Sequence, residues 1–486
     1  MIDTQAIRNK ILDLAMRGQL TEQLPEDGTA KELYQQVQVE KQGLIKDGKI
    51  KKEKSLPEIS ENDVPFEIPN NWAWLRWGNV SFQIQYGYNA PAQDKGRIRM
   101  VRITDIQNNK VFWKNVPYCD IAEDRILEYR LYPNNILFAR TGGTVGKSFL
   151  VEKVEEEAVF AGYLIRTSFS SSISAKYMKY FMESQLYWKQ LQDGTTATAQ
   201  PNCNAKTLSK MLVPLPPFAE QLRIVDKIDQ AFSILDTIDA LQAKYADNLT
   251  TLKAKLIDAA IQGKLTEQLP EDGTAEELYQ QIQVMKQALI IAGKIKKEKP
   301  LPEITADEIL FDIPKNWKWI RWGDVVNIVS ARRVHKADWR ESGVPFYRAR
   351  EIAKLAEEGF VQNDLFISEE LFSEFSKTGV PQENDLMVTA VGTLGKTYVV
   401  NANDRFYYKD ASVLCFENFG GINPYYLVFV MKSDMMRKQI ESNSGGTTVD
   451  TLTMVRMIRY LLPLPPLAEQ KRIAQKIDEL MPLFEK

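Results

Sequence analysis

The stretch TEQLPEDGTAKELYQQVQVEKQGLIKDGKIKKEKSLPEI, Thr21 to Ile59, returns as TEQLPEDGTAEELYQQIQVMKQALIIAGKIKKEKPLPEI, Thr266 to Ile304. The offset is 245 residues, and 32 of the 39 positions are identical. The match continues through Trp72-Ala73-Trp74 and Trp317-Lys318-Trp319 to Trp77-Gly78 and Trp322-Gly323. A second pair, PLPPFAEQLRIVDKID from Pro214 and PLPPLAEQKRIAQKID from Pro463, recurs at offset 249. Between these anchors the halves diverge, so near-identical frames hold two dissimilar inserts of 137 and 141 residues. Self-similarity at this scale fixes the architecture before any local propensity does.

The ends of the chain extend the repeat. At offset 249 Lys486 corresponds to Thr237, and at offset 245 Met1 corresponds to Ala246. The two termini together thus cover the central segment except for Ile238 to Tyr245. From Glu220 to Ile261 there is neither proline nor glycine, and apolar residues run from Val225 through Ile228, Phe232, Leu235, Ile238, Leu241, Tyr245, Leu249 and Leu252 to Leu256. Steps of three and four predict a long helix with a coiled-coil-like seam, roughly 60 Å at about 1.5 Å per residue. Asp3 to Met16 and Leu467 to Leu483 are the expected antiparallel partners of that seam. The inserts read differently. RIRMVRITDI, NNILFAR and SFLVEKV in the first, and DLMVTAV, KTYVVNA and SVLCFE in the second, are short strands between turn residues, while Ser174–Gln192 and Pro424–Glu441 look helical. The fold class is therefore α+β.

Composition bounds the function. A chain of 486 residues with 44% apolar and 26% charged side chains is neither disordered nor fibrous, and it exceeds one core. No apolar run is long enough for a membrane helix, and three scattered cysteines make neither a disulfide framework nor a zinc site. A cytoplasmic location without membrane contact, and no metal, are expected. The net charge of −2 does not mark a general polyanion binder. The inserts differ, however: Gly78–Val213 carries 17 basic against 12 acidic residues, and Gly323–Leu462 carries 16 against 18.

Motifs that mimic catalytic sites do not hold. GGTVGKS near Gly142 lacks the glycine a phosphate-binding loop needs five residues before the second one, and a strand-like segment follows it. Leu215-Pro216-Pro217-Phe218 resembles the tetrapeptide of amino-methyltransferases, but its first residue is Leu where that chemistry needs a hydrogen-bonding side chain. With one histidine, His335, and no carboxylate cluster, no catalytic centre is expected. What remains is recognition. Arg, Asn and Gln read base edges, and lysine meets phosphate. The candidates in the first insert are Gln85, Tyr86, Tyr88, Asn89, Arg97, Arg99, Arg102 and Lys147. Those in the second are Arg332, Arg333, His335, Lys336, Arg348, Arg350 and Lys396.

Two divergent inserts, each opening near W-x-W-x-x-W-G, carrying a T-x-GK turn midway and closing with PLPPxAEQxRI before a long helix, resemble the specificity subunits of Type I restriction–modification systems. The resemblance covers nearly the whole chain. It implies two target-recognition domains of α/β character, related by pseudo-symmetry and separated by an antiparallel long-helix bundle. The segments would be 1–61, a conserved helical region; 62–216, the first recognition domain; 217–306, the central long-helix region; 307–466, the second recognition domain; and 467–486, a C-terminal helix. It also implies a non-catalytic DNA reader of a bipartite, asymmetric target. Two modification subunits that use S-adenosylmethionine would dock on it, and two ATP- and Mg-dependent restriction subunits would join, leaving no cofactor in this chain. Recurrence of polar residues in the repeat points to docking at Glu26, Asp27, Lys51 and Lys52 and at Glu271, Asp272, Lys296 and Lys297. The alternatives are the recognition part of a single-chain modification enzyme, and a structural spacer bearing two protein-binding domains.

Overall fold

The structure is a computed structural model, and it describes residues 1–107, 109–195, 203–377, 379–442 and 451–484. The chain divides into two compact units, Met1–Ala243 and Lys244–Lys486. Their boundary lies within one helix, Phe218–Ile261, and falls inside the segment that the two termini leave uncovered in the repeat.

In the first unit, α1 (Thr4–Met16) starts where Asp3 accepts from the Ala6 N–H at 2.9 Å. The helix α2 (Ala30–Lys46) starts at a reciprocal cap between Thr29 and Glu32. Pro216-Pro217 ends a strand, and α3 (Phe218–Ile261) begins directly after it. Within this unit α1 lies antiparallel on α3: Thr4 bonds Asp239 at 2.5 Å, Arg8 pairs with Asp236 at 2.7 Å, and Leu12 and Met16 share a core with Ile224 and Ile228.

The insert hangs from a two-stranded neck. Strand β1 (Ala73–Arg76) pairs antiparallel with a strand at Leu212–Leu215, from Ala73↔Leu215 to Arg76↔Leu212. The W-x-W and PLPP motifs are thus the two sides of one ribbon. Above it stand β2 (Ser81–Tyr86), β3 (Ile98–Val101), β4 (Ile136–Ala139), β5 (Ser148–Leu150), β6 (Ala158–Phe160) and β7 (Leu164–Phe169). Four of them form a sheet in the order β2-β7-β4-β5, while β3 runs parallel to β6 in a smaller sheet. The expected helix Ser174–Gln192 is two helices, Ala175–Phe181 and Gln185–Thr195, because the Ser184 hydroxyl closes the first and caps the second.

The second unit repeats this plan. The helix α4 (Ala275–Ile291) matches α2, and α5 (Ala349–Glu358) belongs to the insert. The last helix, α6 (Leu467–Leu480), shares a core with the end of α3 through Ile473, Ala474 and Ile477 against Ile257, Ala260 and Ile261. The neck is Lys318–Arg321 on Leu461–Leu464. The insert's four-stranded sheet has the same antiparallel order, with Val326–Val329, Val413–Asn418, Leu386–Thr389 and Thr397–Val399 side by side. Its smaller sheet pairs Val344–Tyr347 in parallel with Tyr407–Tyr408. Here too the expected helix breaks, at Ser433.

One clamp joins frame to neck in each unit. The fully buried Glu220 carboxylate accepts from Trp72 Nε1 at 2.8 Å, Gln23 at 2.9 Å and Thr21 at 3.1 Å. Next to it, Arg223 grips Asp27 at 2.8 and 2.5 Å. In the second unit Glu469 accepts from Trp317, Gln268 and Thr266 at 2.8, 2.9 and 3.0 Å, and Arg472 grips Asp272 at 2.8 and 2.5 Å. The AEQxRI motif is therefore a fastening, read from inside.

The seam on α3 is not continuous. Leu241, Tyr245 and Leu252 are 60%, 53% and 49% exposed. In the first unit the chain before α1 reaches only Gln242, where Ile2 bonds its side chain, and in the second the core takes Ile257, Ala260 and Ile261. Leu241, Tyr245 and Leu252 have the residue types of a seam, yet among the described residues they stay exposed.

Candidate nucleic-acid interface

In the first insert β2 ends at Tyr86, and Gly87 turns the chain against β6. A Cβ at Gly87 would sit 2.2 Å from the Ala161 carbonyl oxygen, so only glycine passes. This places Tyr88 against Tyr129 at 5.3 Å, with Arg125 over both rings, and leaves Asn89 exposed. The Tyr86 ring is 40% exposed under the Arg140 guanidinium at 4.8 Å. Gln85 differs from expectation, since its amide oxygen already takes a bond from buried Arg166 at 2.5 Å. Burial drags that guanidinium's pKa down to about 10, which makes the partner necessary. Arg99 is also spent internally: it pairs with Glu156 at 2.8 Å, bonds the Val116 carbonyl and stacks on Tyr118. Arg97 makes a surface pair with Glu123 at 3.0 Å, the kind worth under about 1 kcal/mol and easily exchanged for phosphate.

The glycine turn joins β4 to β5, two antiparallel strands, so it is a hairpin and not a phosphate loop before a helix. It leaves Lys147 exposed. In the other unit Lys396, at the end of the matching turn, pairs with Glu357 at 2.6 Å.

In the second insert Arg332, Arg333, His335 and Lys336 are exposed around the buried Val334. Arg332 lies 4.4 Å over the Phe375 ring and 3.3 Å from Glu374, and Arg333 is 3.0 Å from Asp410. The His335 N–H caps a single turn at Lys336–Asp338 through the Asp338 carboxylate. Arg348 and Arg350 both reach the buried Glu351 at 2.8 Å and share exposed Asp364. Burial alone would raise the Glu351 carboxyl, but hydrogen bonds from Arg348 and Arg350 bring it down to about 2. Arg102 sits the same way against Asp105. The buried acids Asp105 and Glu351 were not among the sequence candidates, although R-I-T-D and R-A-R-E carry the i,i+3 spacing that could have shown them. Arg140 and exposed Tyr163 were missed as well.

Of the docking candidates, Glu26, Lys51, Lys52, Glu271, Lys296 and Lys297 are exposed. Asp27 and Asp272 are corrected: their side chains are 3% exposed inside the clamp. The Arg223 and Arg472 hydrogen bonds hold both carboxyls below the usual range.

The three cysteines are free and buried, and burial pushes the Cys119 thiol up to about 11 and Cys203 to about 12. Among the described residues no group of three His, Cys, Asp or Glu side chains could hold a metal ion, and no helix is long and apolar enough to cross a membrane.

A family model for the Type I restriction modification DNA specificity domain matches residues 88–244 and again 314–485. The chain belongs to this family. The two matches fall one on each insert with its closing helix, so they hold the unlike inserts together with the shared PLPPxAEQxRI closure. The specificity subunit of the Escherichia coli type I restriction enzyme EcoAI is 28% identical over 539 aligned residues, covering 98% of this chain and 88% of that subunit. The EcoEI specificity subunit from the same species is 28% identical, covering 66% of this chain and 61% of its own. A chain solved in work on complex assembly and conformational transition of the type I R-M system aligns over 87% of this chain and 93% of its own. At 18% identity and a TM-score of 0.53, that likeness concerns the fold.

Proposed function

We propose that this specificity-family chain reads a bipartite, asymmetric DNA target, one insert per half-site, and carries no catalytic centre. The observation behind the proposal is the pairing of two unlike inserts with two near-identical clamped frames. One frame used twice suits two copies of the same partner, while different inserts suit two different half-sites. Tyr86, Asn89, Arg97, Arg102 and Lys147 would meet one half, and Arg332, Arg333, His335, Lys336, Arg348, Arg350 and Lys396 the other. Two modification subunits would dock on the frames at Glu26, Lys51 and Lys52 and at Glu271, Lys296 and Lys297, and two restriction subunits would join through them. S-adenosylmethionine, ATP and magnesium would belong to those partners, and the place of action would be the cytoplasm, with its DNA.

The test is to sequence the methylated bases of a host carrying this chain and its modification partner. A motif of two short specified parts around an unspecified spacer is expected. One uninterrupted motif, or no motif, would refute the proposal.

A further inference from the structure

In each insert the strand of the parallel pair that lies earlier in the chain hands over to an arginine held by a buried acid. Strand β3 passes at Val101 to Arg102, which opens the turn Ile103–Asp105, and Val344–Tyr347 passes to Arg348, which opens α5. Arg102 donates from Nε and Nη2 to the two oxygens of Asp105 at 3.1 and 2.8 Å. Arg348 donates from the same two nitrogens to Glu351 at 3.0 and 2.8 Å. Each acid also accepts its arginine's own backbone N–H, at 2.8 and 2.9 Å. Asp105 is 7% exposed and Glu351 is wholly buried.

A guanidinium is planar and has two usable edges. Here the Nε–Nη2 edge is taken in both units. The end of the group, Nη1 with the second hydrogen of Nη2, is held in place for something else. In the first unit Arg102 Nη1 meets no acceptor among the described residues, and the side chain borders an open cleft of about 340 Å³ with Thr104, Gln107, Phe112 and Asn115. In the second unit Arg348 Nη2 also reaches Asp364 at 3.1 Å, a two-thirds exposed carboxylate whose pairing is worth under about 1 kcal/mol.

We propose that Arg102 and Arg348 each read a guanine in their own half-site, with Asp105 and Glu351 as positioning residues that fix the guanidinium. The inference rests on the DNA-reading role proposed above. Two parallel N–H groups at the end of a guanidinium match guanine O6 and N7 in the major groove, where no other base offers two acceptors side by side. A phosphate contact draws mainly on charge and carries no base information. A buried carboxylate against the guanidinium offsets that charge while fixing the direction of its free N–H groups, which favours base reading over a phosphate anchor. Immobilising the arginine before binding also removes part of the entropy that recognition would otherwise cost.

The experiment is methylome sequencing with Arg102→Lys, Asp105→Asn, Arg348→Lys and Glu351→Gln, each beside thermal unfolding of the purified chain. A G·C pair is expected in each half of the wild-type motif. Arg102→Lys and Asp105→Asn should both relax that one position, by roughly tenfold or more, and leave the other half intact. Arg348→Lys and Glu351→Gln should do the same in the opposite half. Lysine keeps the charge, so Arg102→Lys separates reading from a phosphate contact even if Asp105→Asn unfolds the insert. A half-site without G·C, or lysine variants that preserve the motif, would overturn the inference. A wild-type chain directing no motif would instead overturn the DNA-reading role itself.

Discussion

Asp385 shows how one residue divides the two units. It lies just before Leu386–Thr389, where the first unit has Asn135 before β4. Its carboxylate accepts the Gln382 and Asn418 N–H groups at 2.7 and 3.0 Å, and burial pushes its pKa up to about 6. The folded value lies above the unfolded one, so the group favours folding most below pH 4, and that contribution is lost as pH rises through 6. The loss is about 3 kcal/mol at ~1.4 kcal/mol per pKa unit. Asp385→Asn should therefore gain about that much on the wild type between pH 4 and pH 7 in urea unfolding of the second unit. Parallel pH profiles would show the carboxyl to be solvated. The same scale marks what sequence could tell. Arg102 and Arg348 were legible as candidates because arginine can read bases. Gln85 and Arg99 were chosen on the same ground, but Arg166 and Glu156 had already claimed them. Residue type states what a side chain can do, and only packing states whether it is free.

Among the elements, the neck and clamp explain the preserved blocks. Thr21, Gln23 and Trp72 all converge on Glu220, about 150 to 200 positions away in the chain. No local pattern reveals such a meeting, so Asp27 and Asp272 read as surface docking residues although both lie inside the clamp. Glu220→Ala strands the buried Trp72 N–H and should cost the first unit about 3 kcal/mol. Hydrogen exchange resolved by unit checks this: protection should fall in Met1–Ala243 and persist in Lys244–Lys486. Equal loss in both would mean that Glu220 supports more than its own core. Six strands of the inserts, by contrast, were legible as short apolar runs between turn residues, while β2, β6 and β7 of the first were not among them. The continuous seam on α3 was not legible. Its spacing predicts a buried stripe, and Leu241, Tyr245 and Leu252 lie exposed because apolar periodicity says nothing about the length of the helix that covers it.

At the scale of the whole molecule the two-fold repeat was written plainly in the sequence. Reversing charge at Glu26, Lys51 and Lys52, with Asp27 left in its clamp, should reduce the modification subunits bound from two to one in native mass spectrometry. Two subunits at unchanged affinity would place docking on another face. The boundary between the units falls at Ala243, inside α3. Each unit is an unbroken run of chain that holds its own clamp and neck, and they are joined where Leu241, Tyr245 and Leu252 of α3 lie exposed. A crossover in the codons for Leu241 to Leu252 would pass on a whole reader intact and mend the junction with helix alone. If each insert reads one half-site as proposed, the gene would inherit a new specificity in one recombination event rather than mutation by mutation.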